Sequence, residues 1–145
     1  MMMHISQDGI ELIKKFEGFR PSPYFCCAGH LTIGYGHKLK PNEQYEQISE
    51  QDAHDLLLKD LEIATYAVRR NITYQLDQNQ FSALVSFTYN VGGSALQRST
   101  LRQKINYGEL DNVEREMLKW IYVGPKKSMG LVLRRKAEIG LFYRC

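Results

Sequence analysis

Between Glu17 and Glu43 the chain carries no acidic side chain: the twenty-five residues from Gly18 to Asn42 hold neither aspartate nor glutamate. Chemistry that relies on two neighbouring carboxylates therefore finds one of them, Glu17, and no second in this stretch. Cysteine is scarce, with Cys26, Cys27 and Cys145 the full set. Three cysteines with no Cys-x-x-Cys spacing exclude a disulfide framework, and reduced thiols are expected. Two adjacent cysteines cannot easily close one tetrahedral site with His30 and His37, so no metal and no cofactor are expected. No window offers the roughly eighteen uninterrupted apolar residues of a spanning helix, and no stable membrane association is expected. The opening segment, Met1 to Gly9, has neither a basic region nor a long apolar core, so it does not read as a secretory signal. Synthesis in a cytoplasm is the expectation, and a substrate beyond the membrane would require release by something else.

What the chain does contain is ordinary for a soluble globular protein. At 145 residues, with 43% hydrophobic and 24% charged side chains, it is long enough to bury a core as one domain. Its net charge of +3 favours approach to anionic polymers. The basic runs Arg69-Arg70, Lys126-Lys127 and Arg134-Arg135-Lys136 are short and scattered among acids, so no nucleic-acid partner is expected.

Ile10, Leu12, Ile13 and Phe16 are spaced for one face of a short helix over 8–16, with Glu17 at its end. Gly18, Pro21 and Pro23 forbid continuation. Residues 24–39, with Tyr24, Phe25, Leu31, Thr32, Ile33 and Tyr35 around Ala28-Gly29-His30, read as a hairpin or small sheet. From Ser49 a capping box and the stripe Ala53, Leu56, Leu57, Leu61, Ala64 and Val68 predict a long helix over about 50–70. Asp77 with Gln80 starts another helix that stops at Gly92-Gly93. Further helices are expected from Ser94 to about Asn106, from Asp111 to Tyr122, ended by Gly124-Pro125, and over about 130–143. The fold class is α+β, mainly helical. A β-rich lobe over about 18–48 is joined by the long helix to a helical lobe of 71–145 that also takes the N-terminal helix, with a groove between them for a polymer.

Glu17-Gly18-x-Arg20, then Tyr24, then Gly29-x-x-Thr32-Ile33-Gly34-Tyr35-Gly36-His37 together resemble the signature of the phage-type (T4-like) lysozymes, an endolysin family of glycoside hydrolases. Ser86-Phe87-Thr88-Tyr89-Asn90-Val91-Gly92, Ser99-Thr100-Leu101, Trp120 and Gly130-Leu131-x-x-Arg134-Arg135 resemble its later blocks in order, so the likeness covers about residues 5–143. It implies a lysozyme-like two-lobed fold. The activity it implies is hydrolysis of the β-1,4 bond between N-acetylmuramic acid and N-acetylglucosamine in peptidoglycan. It also implies that Glu17 is the general acid and that Thr32 helps to place the attacking water. The family's catalytic aspartate lies nine residues after the glutamate, and that position here is Cys26.

The residues themselves support an acid role for Glu17, since a carboxyl among apolar neighbours can be held protonated to serve the leaving oxygen. A thiol at Cys26 can replace a carboxylate only as a thiolate; otherwise it is a small buried hydrophobe. Cys27 lies one residue off the register and is assigned no role. His37 is read as hydrogen-bonding its lobe together rather than as a base. Lys38, Tyr89, Asn90, Thr100 and Arg135 are the candidate substrate contacts; Tyr89 reads equally as core, Arg135 alternatively as a brace of the helical lobe, and Trp120 as core. A phage or prophage endolysin acting on peptidoglycan as a monomer, with a holin-like partner for release, is the leading expectation. The alternatives are a lytic transglycosylase using Glu17 alone and a non-catalytic peptidoglycan-binding module.

Overall fold

A computed structural model describes residues 2–26 and 28–145; Cys27 therefore lies outside the described residues. The elements run α1 (Gln7–Glu17), β1 (Arg20–Phe25), β2 (Leu31–Gly34), β3 (His37–Lys38), α2 (Glu50–Asn71), α3 (Gln78–Val91), α4 (Gly93–Arg98), α5 (Thr100–Asn106), α6 (Val113–Met117), β4 (Tyr122–Val123), β5 (Lys126–Lys127) and α7 (Met129–Phe142). The chain divides into two compact units, one of Ile13–Glu62 and one of Met1–Leu12 with Ile63–Cys145. The mainly helical α+β class is as expected, with a small antiparallel sheet.

In the Ile13–Glu62 unit the sheet order is β1-β2-β3, antiparallel throughout. Tyr24 faces Thr32, and Thr32 in turn faces Lys38. The register shifts between Arg20 and Tyr24, where Pro21 and Pro23 have no N–H to give the ladder. Pro21 instead uses its carbonyl, which accepts from the Ile48 amide at 2.9 Å. Ile13, Ile33, Ile48, Ala53 and Leu57 form the buried apolar interior. Gly34 is required there: its φ is +68°, and a Cβ would meet the Ala53 Cβ at 3.1 Å. Helix α2 begins as its sequence predicts, the Ser49 hydroxyl accepting from the Asp52 amide at 3.0 Å.

The other unit is built on α3 packed against α7. Asp77 and Gln80 close a reciprocal capping box, and the helix buries every residue from Phe81 to Thr88. The start of α1 lies close to α3, with Ser6 N–H donating to the Ser82 hydroxyl at 2.9 Å. Three expectations need correction. The single helix expected from Ser94 to Asn106 is two, because Ser99 takes extended backbone and caps α5 with its hydroxyl. The helix expected over 111–122 is a 3₁₀ turn, Leu110–Asn112, and the five-residue α6. Gly124-Pro125, read as a helix stop, is the turn of the β4–β5 hairpin, with Gly124 at φ +60°.

Candidate active site

Glu17 is the last residue of α1 and is half-buried. The helix stops because Gly18 takes φ +72° while its amide still closes on the Lys14 carbonyl at 2.9 Å, and two residues later the chain enters β1. At the other end of β1 the chain turns tightly. The Cys26 amide donates to the His30 carbonyl at 2.9 Å, the Gly29 amide donates to the Cys26 carbonyl at 2.8 Å, and Gly29 has φ +81°.

That turn brings several positive dipoles to the Cys26 sulfur. The backbone N–H groups of Ala28 and His30 act on it most strongly; burial opposes them, and with lesser help from the Thr32 hydroxyl and then the Lys38 ammonium they hold the thiol below its ordinary value. Cys26 itself is half-buried. Thr32 is buried, and its Oγ1 donates to the His30 carbonyl at 2.8 Å, the same oxygen that accepts from the Cys26 amide. One hydroxyl proton thus has two acceptors within its reach, the His30 oxygen and, when ionised, the sulfur.

His37 is buried between two carboxylates, its Nδ1 2.7 Å from Asp60 Oδ2 and its Nε2 3.1 Å from Glu43 Oε1. It ties β3 to α2 and to the loop after the sheet. Glu43 also accepts from the Lys40 amide at 2.8 Å, and this bond above all, with His37, keeps its carboxyl below the usual glutamate value. Burial pushes Asp60 up despite its bond to His37. Arg20 stacks over the Tyr24 ring at 4.2 Å.

The remaining candidates belong to the helical unit. Tyr89 is half-buried near the end of α3, Asn90 is exposed beside it, and Thr100 is exposed at the first position of α5. Arg135 does not fit substrate contact, because its side chain is 0% exposed. Its guanidinium pairs with Glu138, bonds Asn90 Oδ1, donates to the Trp120 carbonyl at 2.9 Å and lies 4.9 Å from the Phe87 ring centre. Glu138 is equally buried and is shared with Arg134 at 3.2 Å and with the Ser86 hydroxyl at 2.6 Å. This is a brace between α3 and α7. Trp120 is half-buried against Phe87, edge to face at 5.7 Å.

Glu17, Cys26, Thr32, His37 and Lys38 thus fall in one unit, and Tyr89, Asn90, Thr100 and Arg135 in the other. Sequence reasoning missed the Ala28 and His30 amides, which have no side-chain signature, and Glu43 and Asp60, whose pairing with His37 depends on tertiary structure. Among the described residues no group of three or more His, Cys, Asp and Glu side chains could hold a metal ion, and no helix is long and apolar enough to cross a membrane.

A family model described as phage lysozyme matches residues 14–138. The chain is 44% identical over 142 residues to an endolysin of Bacillus phage B103, covering 97% of itself but 54% of that protein. It is 38% identical over 144 residues to an endolysin of Acyrthosiphon pisum secondary endosymbiont phage 1, covering 97% of itself and 98% of the relative. Among solved structures it is similar to the muramidase domain of SpmX from Asticaccaulis excentricus, with a TM-score of 0.90 at 34% identity and 99% of each chain covered.

Proposed function

The chain belongs to the phage lysozyme family, and from that premise we propose that it is a peptidoglycan muramidase in which the Cys26 sulfur stands where the family's second carboxylate would act. The observation that carries this reading is the place of Cys26 in the tight turn after β1, its amide bonded to the same His30 carbonyl that accepts from the Thr32 hydroxyl at 2.8 Å; the lowered thiol agrees with it. Glu17 gives its proton to the oxygen leaving the muramic acid carbon. A water held by Thr32 attacks that carbon from the opposite face while Cys26, as thiolate, takes the water's proton. The step ends with a carboxylate at Glu17, a thiol at Cys26 and an inverted sugar hemiacetal; solvent returns the proton from sulfur to carboxylate. Inversion follows because a water must fit between acid and base.

In the helical unit, Asn90 is oriented by its bond from Arg135: with Oδ1 engaged, both amide hydrogens are left to donate to an acetamido carbonyl. Tyr89 supplies a ring face for a sugar and Thr100 an exposed hydroxyl. Action by one lysozyme-like domain over residues 1–145, as a monomer released to the wall through a holin-like partner, belongs to the same proposal.

Clearing of purified cell walls tests it. Glu17→Gln is expected to lose at least about a hundredfold and Cys26→Ser roughly ten- to a hundredfold. A Cys26→Ser enzyme with full rate would leave the sulfur structural. Anhydro-muramic ends in the products would replace hydrolysis by the transglycosylase reaction, and binding without clearing would leave only a wall-binding module.

A further inference from the structure

The sequence offers Lys38 as a sugar contact, and the sheet sets it on the face that carries Thr32. Directly opposed residues of an antiparallel pair share a face, and residues two apart on one strand do so as well. Tyr24 pairs with Thr32 and Thr32 pairs with Lys38, so these three side chains lie on one face of the sheet. Cys26 follows Tyr24 by two residues and is tied to His30 by its amide, which carries the same alternation one step past β1. Cys26, Thr32 and Lys38 therefore share one face of the sheet, with Thr32 directly opposite Lys38 and Cys26 one diagonal step from Thr32.

We propose that Lys38 is a positioning residue for the reaction, its ammonium stabilising negative charge on the Cys26 sulfur from across the sheet rather than gripping the glycan. This rests on Cys26 being the group that takes the water's proton. Among the described residues of strands β1–β3, the basic side chains other than Lys38, which are Arg20 and His37, are engaged elsewhere. On β1, Arg20 is engaged over the Tyr24 ring. His37, next to Lys38 on β3, points to the opposite face and is taken by Glu43 and Asp60. His30 offers its backbone rather than its ring. On β2, Thr32 is neutral. The acid-free stretch from Gly18 to Asn42 means that no carboxylate within the sheet competes for the ammonium, and the next acid, Glu43, is committed to His37 and the Lys40 amide.

The experiment uses the full chain with Cys27→Ser and Cys145→Ser, so that Cys26 is the single thiol. Alkylation by iodoacetamide is followed against pH for Lys38, Lys38→Met and Lys38→Arg, beside wall clearing at several wall concentrations. Below the thiol's titration, Lys38→Met is expected to alkylate roughly two- to fivefold more slowly, the size expected of one exposed charge. Lys38→Arg should restore the rate, the difference should vanish at alkaline pH where the thiol is fully ionised, and added salt should shrink it. In clearing assays the maximal rate should fall on the acid side, with the half-saturating wall concentration unchanged. An alkylation curve unmoved by Lys38→Met overturns the inference. So does a loss confined to half-saturation and equal at every pH, which would return Lys38 to the sugar. Should Cys26→Ser clear walls at full rate while Lys38→Met still slows alkylation, the catalytic reading of Cys26 fails, and with it this role in the reaction, although the charge coupling stands.

Discussion

Thr32 shows how much one hydroxyl can carry. Its methyl and Cβ are buried in the sheet, and its oxygen sits between the His30 carbonyl and the Cys26 sulfur. Replacing it by valine keeps the shape and removes the bridging proton. Folding should change by only about 1 kcal/mol, because the His30 carbonyl still accepts from the Cys26 amide. Clearing of walls should fall roughly ten- to a hundredfold, since the held water loses an acceptor and the sulfur a donor. Thermal melting alongside turbidity loss separates the two effects; a drop in melting large enough to explain the lost activity would make Thr32 a packing residue. Arg135 teaches the converse. As a sequence letter it invites assignment to the glycan, but an arginine with its stem and charge fully buried can serve only the protein's own carboxylates and carbonyls.

Among elements, the α3–α7 pair depends on an ionic knot in its apolar interior. Glu138 accepts from Ser86, Arg134 and Arg135, and burial weakens Arg135 as a base while Glu138 counters it. Glu138→Gln keeps the volume but leaves two buried guanidinium groups without their shared anion. A loss of about 3–5 kcal/mol is expected in urea unfolding, against under about 1 kcal/mol for an exposed control such as Glu114→Gln. Elements of this length are legible from sequence because stripe and cap agree: α2 begins after Ser49 and α3 after Asp77, where their capping residues predict. Short elements are not. Strands β4 and β5 have two residues each, too few for alternation to register, and Ser99 splits a helical run by a backbone angle that its neighbours do not announce. At the candidate site the split is similar: Glu17, Cys26 and Thr32 stand out by spacing within a motif, whereas the amides of Ala28 and His30 would be present under any sequence and become donors to sulfur only through the turn.

For the whole molecule, the two carboxylates around His37 contribute to the response of stability to acid with opposite signs. Glu43 is a stronger acid in the folded chain than in the unfolded one, so its contribution is complete above the unfolded value and disappears as pH falls through the lower folded value. Asp60 runs the other way. Burial makes it a weaker acid, so its contribution is complete below its unfolded value and is lost as pH rises through the folded one. The two carboxylates hold one imidazole and oppose each other in pH dependence, which flattens the wild-type curve. Removing either should therefore tilt stability in a definite direction. Glu43→Gln should make the urea midpoint depend less steeply on pH below about pH 4.3, where glutamate protonates in unfolded chains. Asp60→Asn, by deleting the opposing contribution, should leave a midpoint that climbs more steeply with pH across the acid range than the wild type's. Parallel midpoint curves for the wild type and both variants from pH 2.5 to 6.5 would mean that the carboxylates around His37 do not govern acid stability.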